Sequence, residues 1–203
     1  MIKRVNSGGI AVGRRVAGVC GITSQLVGLT ALLVAVSSSP WFRWTENNIS
    51  VLGVEGSATT LFNTGLILSG VLSLIFAIGL GQSLLSSRLG RLGVVSLILG
   101  SMAISAMGIF PRTIDLPHNL ASIAFFMFIT LALLLVGVAV ITASQMRWGL
   151  PSLMAGVLII AFQLVPWPWS GGAIPQLLFC LLWSLWTIAF GVGLLVRTSP
   201  VDV

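Results

Sequence analysis

The sequence carries very little charge. Only 7% of its 203 residues are charged, whereas 57% are hydrophobic. A soluble domain usually carries about 25% charged residues, so a water-soluble fold could not cover its surface with this composition. The mean hydropathy of +1.10 leads to the same conclusion. The composition excludes an ordinary soluble protein and indicates that lipid surrounds most of the surface.

Metal-ligating side chains are scarce as well. The chain has 1 histidine, 2 cysteines and 4 acidic residues. The usual zinc site takes several His and Cys ligands, so we expect no metal site and no bound cofactor. Cys20 and Cys180 lie in apolar runs at different predicted depths, and a disulfide needs Cα atoms within about 7 Å of each other. We therefore expect two unpaired thiols.

Long apolar runs replace the missing charge. Each run is continuous and suits a helix across a hydrocarbon core of about 30 Å, and none alternates as barrel strands do. The first run is longer than the roughly 7–15 residues of a secretory signal, so we expect a retained helix. The sequence predicts an all-α membrane protein, a compact bundle of six transmembrane helices in one domain over residues 1–203, with spans at 16–37, 60–80, 92–110, 119–143, 150–165 and 176–196.

The basic residues lie between these runs. The net charge of +6 therefore indicates membrane topology rather than nucleic-acid binding, for which the sequence has no motif. Of the 10 Lys and Arg residues, all but Arg43 and Arg112 fall on the side of the termini. The positive-inside rule then predicts a plasma-membrane protein with both termini in the cytoplasm.

Polar side chains collect at the predicted outer face, just before the second and fourth helices. Helix N-termini present free N–H groups and a positive dipole end, which suit anions. We therefore predict an outward-facing site for a lipid headgroup or a membrane partner, with a second copy of the chain as a further partner. The residues of this site are Arg43, Asn48, Ser50, Asn63, Arg112, Asp115 and His118.

Four of these residues have a structural alternative. Asp115 can complement the dipole of the fourth helix, His118 can be a structural hydrogen-bonder, and Asn48 and Ser50 can bond loop backbone. The polar residues before the second helix and those before the fourth helix form two outer segments. If these segments form one site, His118 or Asp115 should lie within direct or water-bridged hydrogen-bond distance of Asn48, Ser50 or Asn63.

Two other functions stay open. The same residues allow a lipid-modifying hydrolase or transferase, for which Ser50, His118 and Asp115 can be drawn as a triad, although Ser50 lacks a nucleophile-elbow context. A carrier of a neutral solute is a weaker alternative. Ion-coupled transporters usually place ionisable groups at mid-membrane, and the predicted spans have no Lys, Arg, Asp or Glu well inside them.

Four short motifs resemble the membrane family catalogued as domain of unknown function 998. They are Asn48-Ile49-Ser50-x-Leu52-Gly53, Leu61-Phe62-Asn63-x-Gly65, Gly108-Ile109-Phe110-Pro111 and His118-x-x-Ala121. The resemblance is detailed over residues 40–130 and implies a multi-pass bundle without an established activity. An acidic residue commonly follows the serine in that family, whereas Val51 stands here. If that acid does chemistry in relatives, this chain lacks it.

Overall fold

The computed structural model describes residues 7–196 of the chain, with side chains from residue 13 onward. Throughout this part, all regular structure is helical. A short 3-10 helix, Ile49–Gly53, accompanies six α-helices: α1 (Ser7–Ser37), α2 (Thr59–Leu84), α3 (Arg88–Ile109), α4 (Asp115–Thr142), α5 (Met146–Leu164) and α6 (Ala173–Leu195). All six α-helices are long and apolar enough to cross a membrane. The predicted all-α bundle of six transmembrane helices is confirmed.

The helices are arranged as a closed ring. Each packs against its neighbours in sequence, and α6 returns to pack against α1. The contacts of Ala31 with Gly65 and of Ala17 with Gly79 show that α1 and α2 run antiparallel. The later links are short and make the other successive helices antiparallel as well, so α2, α4 and α6 all begin at the same end of the bundle. Three loops gather there, at residues 38–58, 110–114 and 165–172. We call this end the cap.

Small residues let the helices approach closely. Gly65 of α2 faces Ala31 of α1, and Gly79 of α2 faces Ala17 of α1. A Cβ added to Gly108 of α3 would lie 2.5 Å from the Asn63 carbonyl oxygen of α2. Helices in lipid associate largely through such close contacts, because the hydrophobic effect gives no net attraction between them there.

The half of the bundle remote from the cap is filled by aromatic rings. The Trp186 ring stacks on Phe190 at 4.3 Å and on Trp183 at 5.6 Å between centroids, and meets the edge of Phe76 at 6.2 Å. The Trp148 ring contacts Phe190 from α5. We call these five residues the aromatic plug. They close the centre of the bundle on the side away from the cap.

The helices extend beyond several of the apolar runs. α2 continues to Leu84 and α4 begins at Asp115. Pro117 does not prevent this early start, because proline is tolerated in the first helical turn, where N–H groups lack partners anyway. Cys20 and Cys180 are both free, as expected. Lys3, Arg4 and Arg197, which contribute to the charge asymmetry, lie outside the described residues.

Candidate functional site

The first and third cap loops are joined by hydrogen bonds. The Gly171 N–H donates to the Thr45 carbonyl at 2.9 Å, and the Ala173 N–H donates to the Asn47 carbonyl at 2.9 Å. The Asn48 Oδ1 accepts from the Gly172 N–H at 2.9 Å. The side chain of Asn48 therefore forms a hydrogen bond with loop backbone, as the structural alternative predicted. The backbone group belongs to the third cap loop and not to the loop of Asn48 itself. Asn48 therefore has a structural role, because its hydrogen bond holds the start of α6 against the first loop.

A second contact brings the α3–α4 junction to the first loop. The Arg112 guanidinium donates to the Ser50 Oγ at 3.3 Å. We expected the two outer segments to meet through His118 or Asp115. They do meet, but the direct hydrogen bond comes from Arg112. All three cap loops are therefore linked through residues 45–50.

His118 is almost completely buried, with 4% of its surface exposed. Its Nδ1 lies 2.8 Å from the Phe110 carbonyl oxygen at the end of α3. A carbonyl oxygen only accepts hydrogen bonds, so Nδ1 carries a proton. In the neutral imidazole this leaves Nε2 as an acceptor. The structure gives Nε2 no partner among the described residues.

A cavity of about 80 Å³ lies beneath the cap, and we call it the cap cavity. This volume is well above the roughly 10–15 Å³ that a polar cavity needs in order to hold a water molecule. Its polar lining consists of Ser50, Asn63, His118, Ser122 and Gln176. The rest of the lining is mostly apolar and includes Leu66, Ile104, Met107, Phe125 and Phe126.

A deeper cavity of about 60 Å³ adjoins the cap cavity and shares its apolar lining, including Leu66, Ile104 and Phe125. Gln25 and Ser184 lie at its polar end. The Gln25 Oε1 accepts from the Ser184 Oγ at 2.9 Å, and both residues are 4% exposed. At about 1.5 Å per helical residue, Gln25 lies about 18 Å below the cap end of α1. The interior is thus polar at the cap, apolar below it, and polar again near mid-membrane.

The structure separates the predicted site residues into three groups. Ser50, Asn63 and His118 line the cap cavity. Arg112 lies beside the cavity, because its guanidinium donates to the Ser50 hydroxyl. Asn48 joins the first and third cap loops and does not line the cavity. Arg43 and Asp115 are exposed and lie outside the lining of the cavity.

Asp115 is the first residue of α4, and its side chain makes no capping hydrogen bond. Its negative charge still lies at the positive end of the helix dipole, which is the structural role we had offered as the alternative.

The triad drawn from sequence is not assembled. In such a triad the acid accepts a hydrogen bond from the Nδ1–H of the histidine. Here the Phe110 carbonyl occupies that position on His118, and Asp115 is exposed. The Ser50 hydroxyl accepts from Arg112 instead of donating to the imidazole. Within residues 7–196, no three His, Cys, Asp or Glu side chains form a group that could hold a metal ion.

The polar residues of the interior that were missed from sequence include Ser122, Gln176, Gln25 and Ser184. Ser122 follows His118 by one helical turn, which places both on one face of α4. Gln176 is tied to the first loop, because its Oε1 accepts from the Ile49 N–H at 2.8 Å. Gln25 interrupts the first apolar run and would have been found by searching the runs for amides as well as charges.

The helices and the interior cavities together define a multi-pass integral membrane protein. The family described as Protein of unknown function (DUF998) matches residues 22–193. The chain belongs to this family, in agreement with the resemblance carried by its motifs. No curated protein and no solved structure matches the chain.

Proposed function

We propose that this protein binds the headgroup of an anionic membrane lipid in the cap cavity. The observation that carries the proposal is the polarity of the interior at the cap. Ser50, Asn63 and His118 form a polar lining above an apolar one, and the Arg112 guanidinium lies at Ser50. A phosphate at Arg112, with the polar part of the same headgroup in the polar lining, would match this arrangement of a cation beside uncharged polar groups.

The position of the cavity supports a lipid in preference to a fully soluble ligand. α2, α4 and α6 begin at the cap, so its polar lining lies near the level of the lipid headgroups. Arg112 is only half-buried and can exchange its contact with Ser50 for a phosphate oxygen. Guanidinium groups bind phosphates through charge-assisted hydrogen bonds, which are stronger than neutral ones.

We place the cap on the outer side of the plasma membrane and both termini in the cytoplasm. The support is the distribution of Lys and Arg, of which Arg43 and Arg112 alone belong to the cap. Binding of a second copy or of another membrane protein stays a prediction.

The test is lipid retention by the purified full-length chain. Native mass spectrometry should show an anionic phospholipid that survives detergent exchange. The variant Arg112→Gln should weaken that binding by about ten- to a hundredfold, since a hydrogen bond to a charged group contributes about 1.5–3 kcal/mol. The matched control is Arg91→Gln, which removes the same charge from an exposed position near the start of α3, at the other end of the bundle.

Equal loss of lipid from both variants would show that only net charge matters and would overturn the site. Absence of any retained or rebound anionic lipid in the unaltered protein would overturn the function itself.

A further inference from the structure

The cap cavity offers both hydrogen-bond donors and acceptors without charge. Its lining, within the described residues, contains no Lys, Arg, Asp or Glu. Which atoms are free to bind a ligand follows from the bonds that its side chains already make. The donor and acceptor atoms that remain without partners indicate the chemistry of the group that the cavity can bind.

The amide orientations in the lining are set by their protein partners. The Asn63 Nδ2 donates to the Gly53 carbonyl at 2.8 Å, so its Oδ1 is left as an acceptor. The Gln176 Oε1 accepts from the Ile49 N–H, so its Nε2 is left with donor protons. His118 contributes a second acceptor, Nε2, because Nδ1 is the donor to Phe110.

Two hydroxyl groups complete the set of polar groups that line the cavity. Ser50 accepts from Arg112, which leaves its own proton free to donate. Ser122 lines the cavity and can both donate and accept. The groups of these lining residues that have no hydrogen-bond partner in the described part of the chain are therefore donors on Gln176 and Ser50, acceptors on Asn63 and His118, and the hydroxyl of Ser122.

This mixture selects among headgroup chemistries. A fully ionised phosphate only accepts, so it would leave the acceptors of Asn63 and His118 without donors. An ammonium only donates, so it would leave the donors of Gln176 and Ser50 unused. Hydroxyl groups donate and accept at once and match both sets. Unmatched buried polar groups are costly, which makes this difference a basis for specificity.

We propose that the group entering the cap cavity is an uncharged polyol and that the phosphate carrying it stays at Arg112. The ligand class is a polyol phosphate headgroup with a small polyol, as in phosphatidylglycerol, because the cavity has a volume of only about 80 Å³. This inference rests on the proposed function and specifies the headgroup of the same site.

The experiment measures binding of single lipids to the full chain in phosphatidylcholine nanodiscs. Phosphatidylglycerol, phosphatidate and phosphatidylethanolamine with identical acyl chains are compared by native mass spectrometry. Phosphatidylglycerol should bind about tenfold more tightly than phosphatidate, as expected from one or two additional matched hydrogen bonds. Equal binding of the two anionic lipids would overturn the polyol inference and leave the proposed function standing. Failure of both to bind would overturn both.

Two variants locate the effect in the cavity. Ser122→Ala and His118→Leu should each lower the preference for phosphatidylglycerol over phosphatidate several-fold, with phosphatidate binding unchanged. Ser122→Ala removes a single oxygen and keeps the result interpretable if His118→Leu fails to fold. The control is Ser101→Ala, because Ser101 is buried in α3 and donates to the Leu97 carbonyl of its own helix. A preference unchanged in Ser122→Ala and His118→Leu would overturn the assignment to this cavity.

Soluble glycerol phosphate distinguishes a lipid from a free metabolite. It has the same polyol and phosphate but no acyl chains, so it should compete only weakly with phosphatidylglycerol. Competition at equal affinity would overturn the lipid source of the headgroup.

Discussion

Asn48 shows how one side chain joins two loops of the cap. Its Oδ1 accepts from the Gly172 N–H at the start of α6. Helix N-termini leave backbone N–H groups without partners in the helix, and a side-chain oxygen commonly satisfies one of them. The oxygen normally comes from the residue that precedes the helix. Here Gly172 holds that position and has no side chain, so a residue of another loop supplies the oxygen.

Replacement of Asn48 with alanine should destabilise the protein. The Gly172 N–H would lose its acceptor, and leaving such a group unpaired costs about 1–3 kcal/mol. The measurement is the free energy of unfolding in detergent. Asn119→Ala is the matched control, because Asn119 is exposed on α4, and it should change stability by less than about 0.5 kcal/mol. An equally small effect of Asn48→Ala would show that water replaces the lost oxygen.

Sequence reasoning found part of the candidate site because polarity at a membrane boundary is visible in the sequence. Ser50, Asn63 and His118 were identified in this way and do line one cavity. The contact between Arg112 and Ser50 could not be assigned, because it depends on how the loops fold over the closed ring. Whether these residues bind a ligand stays a prediction.

At the scale of elements, α4 and α5 cross through two glycines, Gly137 and Gly149. A Cβ added to Gly137 would lie 2.7 Å from the Leu153 backbone nitrogen and 3.1 Å from the Gly149 carbonyl oxygen. Both atoms belong to the backbone of α5, so a side-chain rotation cannot relieve the clash. The whole of α5 would have to move away from α4.

Gly137→Ala should therefore destabilise the bundle by about 1–3 kcal/mol, the usual cost of overpacking a close contact. Thermal unfolding in detergent measures the change. The control is Gly13→Ala in α1, where the added Cβ would be 3.9 Å from the Gln82 Nε2. Alanine is favoured over glycine inside a helix by up to about 1 kcal/mol, so the control should be neutral or stabilising. Unchanged stability of Gly137→Ala would mean that the helices cross at a greater distance.

The number and type of the helices could be predicted because a backbone in lipid must satisfy its own hydrogen bonds. An apolar run of sufficient length therefore becomes a helix almost regardless of its detailed sequence. The ends of the helices were harder to place. α4 starts at Asp115 and α5 at Met146, among polar residues that a hydropathy criterion leaves outside the span. Helical hydrogen bonding does not stop where the apolar run ends.

At the scale of the whole molecule, the interior contains cavities with polar linings near the cap and packed aromatic rings towards the other end. The deeper cavity reaches Gln25 and Ser184, and the aromatic plug fills the bundle beyond them. Protein interiors are close-packed, with few voids larger than a water molecule. A carrier would have to separate these rings in each cycle. Binding of a lipid from one side requires no such movement, which agrees with the lipid binding proposed above.

The orientation of this one-sided interior can be tested with thiol labelling in intact cells. The background variant replaces Cys20 and Cys180 with alanine, and single cysteines are introduced as Glu55→Cys in the cap or Ser86→Cys in the link between α2 and α3. Both positions are exposed, so folding should be unaffected.

Because Lys and Arg are concentrated on the side of the termini, a membrane-impermeant reagent should label the Glu55→Cys protein from outside and the Ser86→Cys protein only after permeabilisation. The reverse pattern would place the cap and its cavity in the cytoplasm, where an outer-leaflet lipid could not reach it. Labelling of both from outside would show that α2, which lies between the two positions, does not cross the membrane.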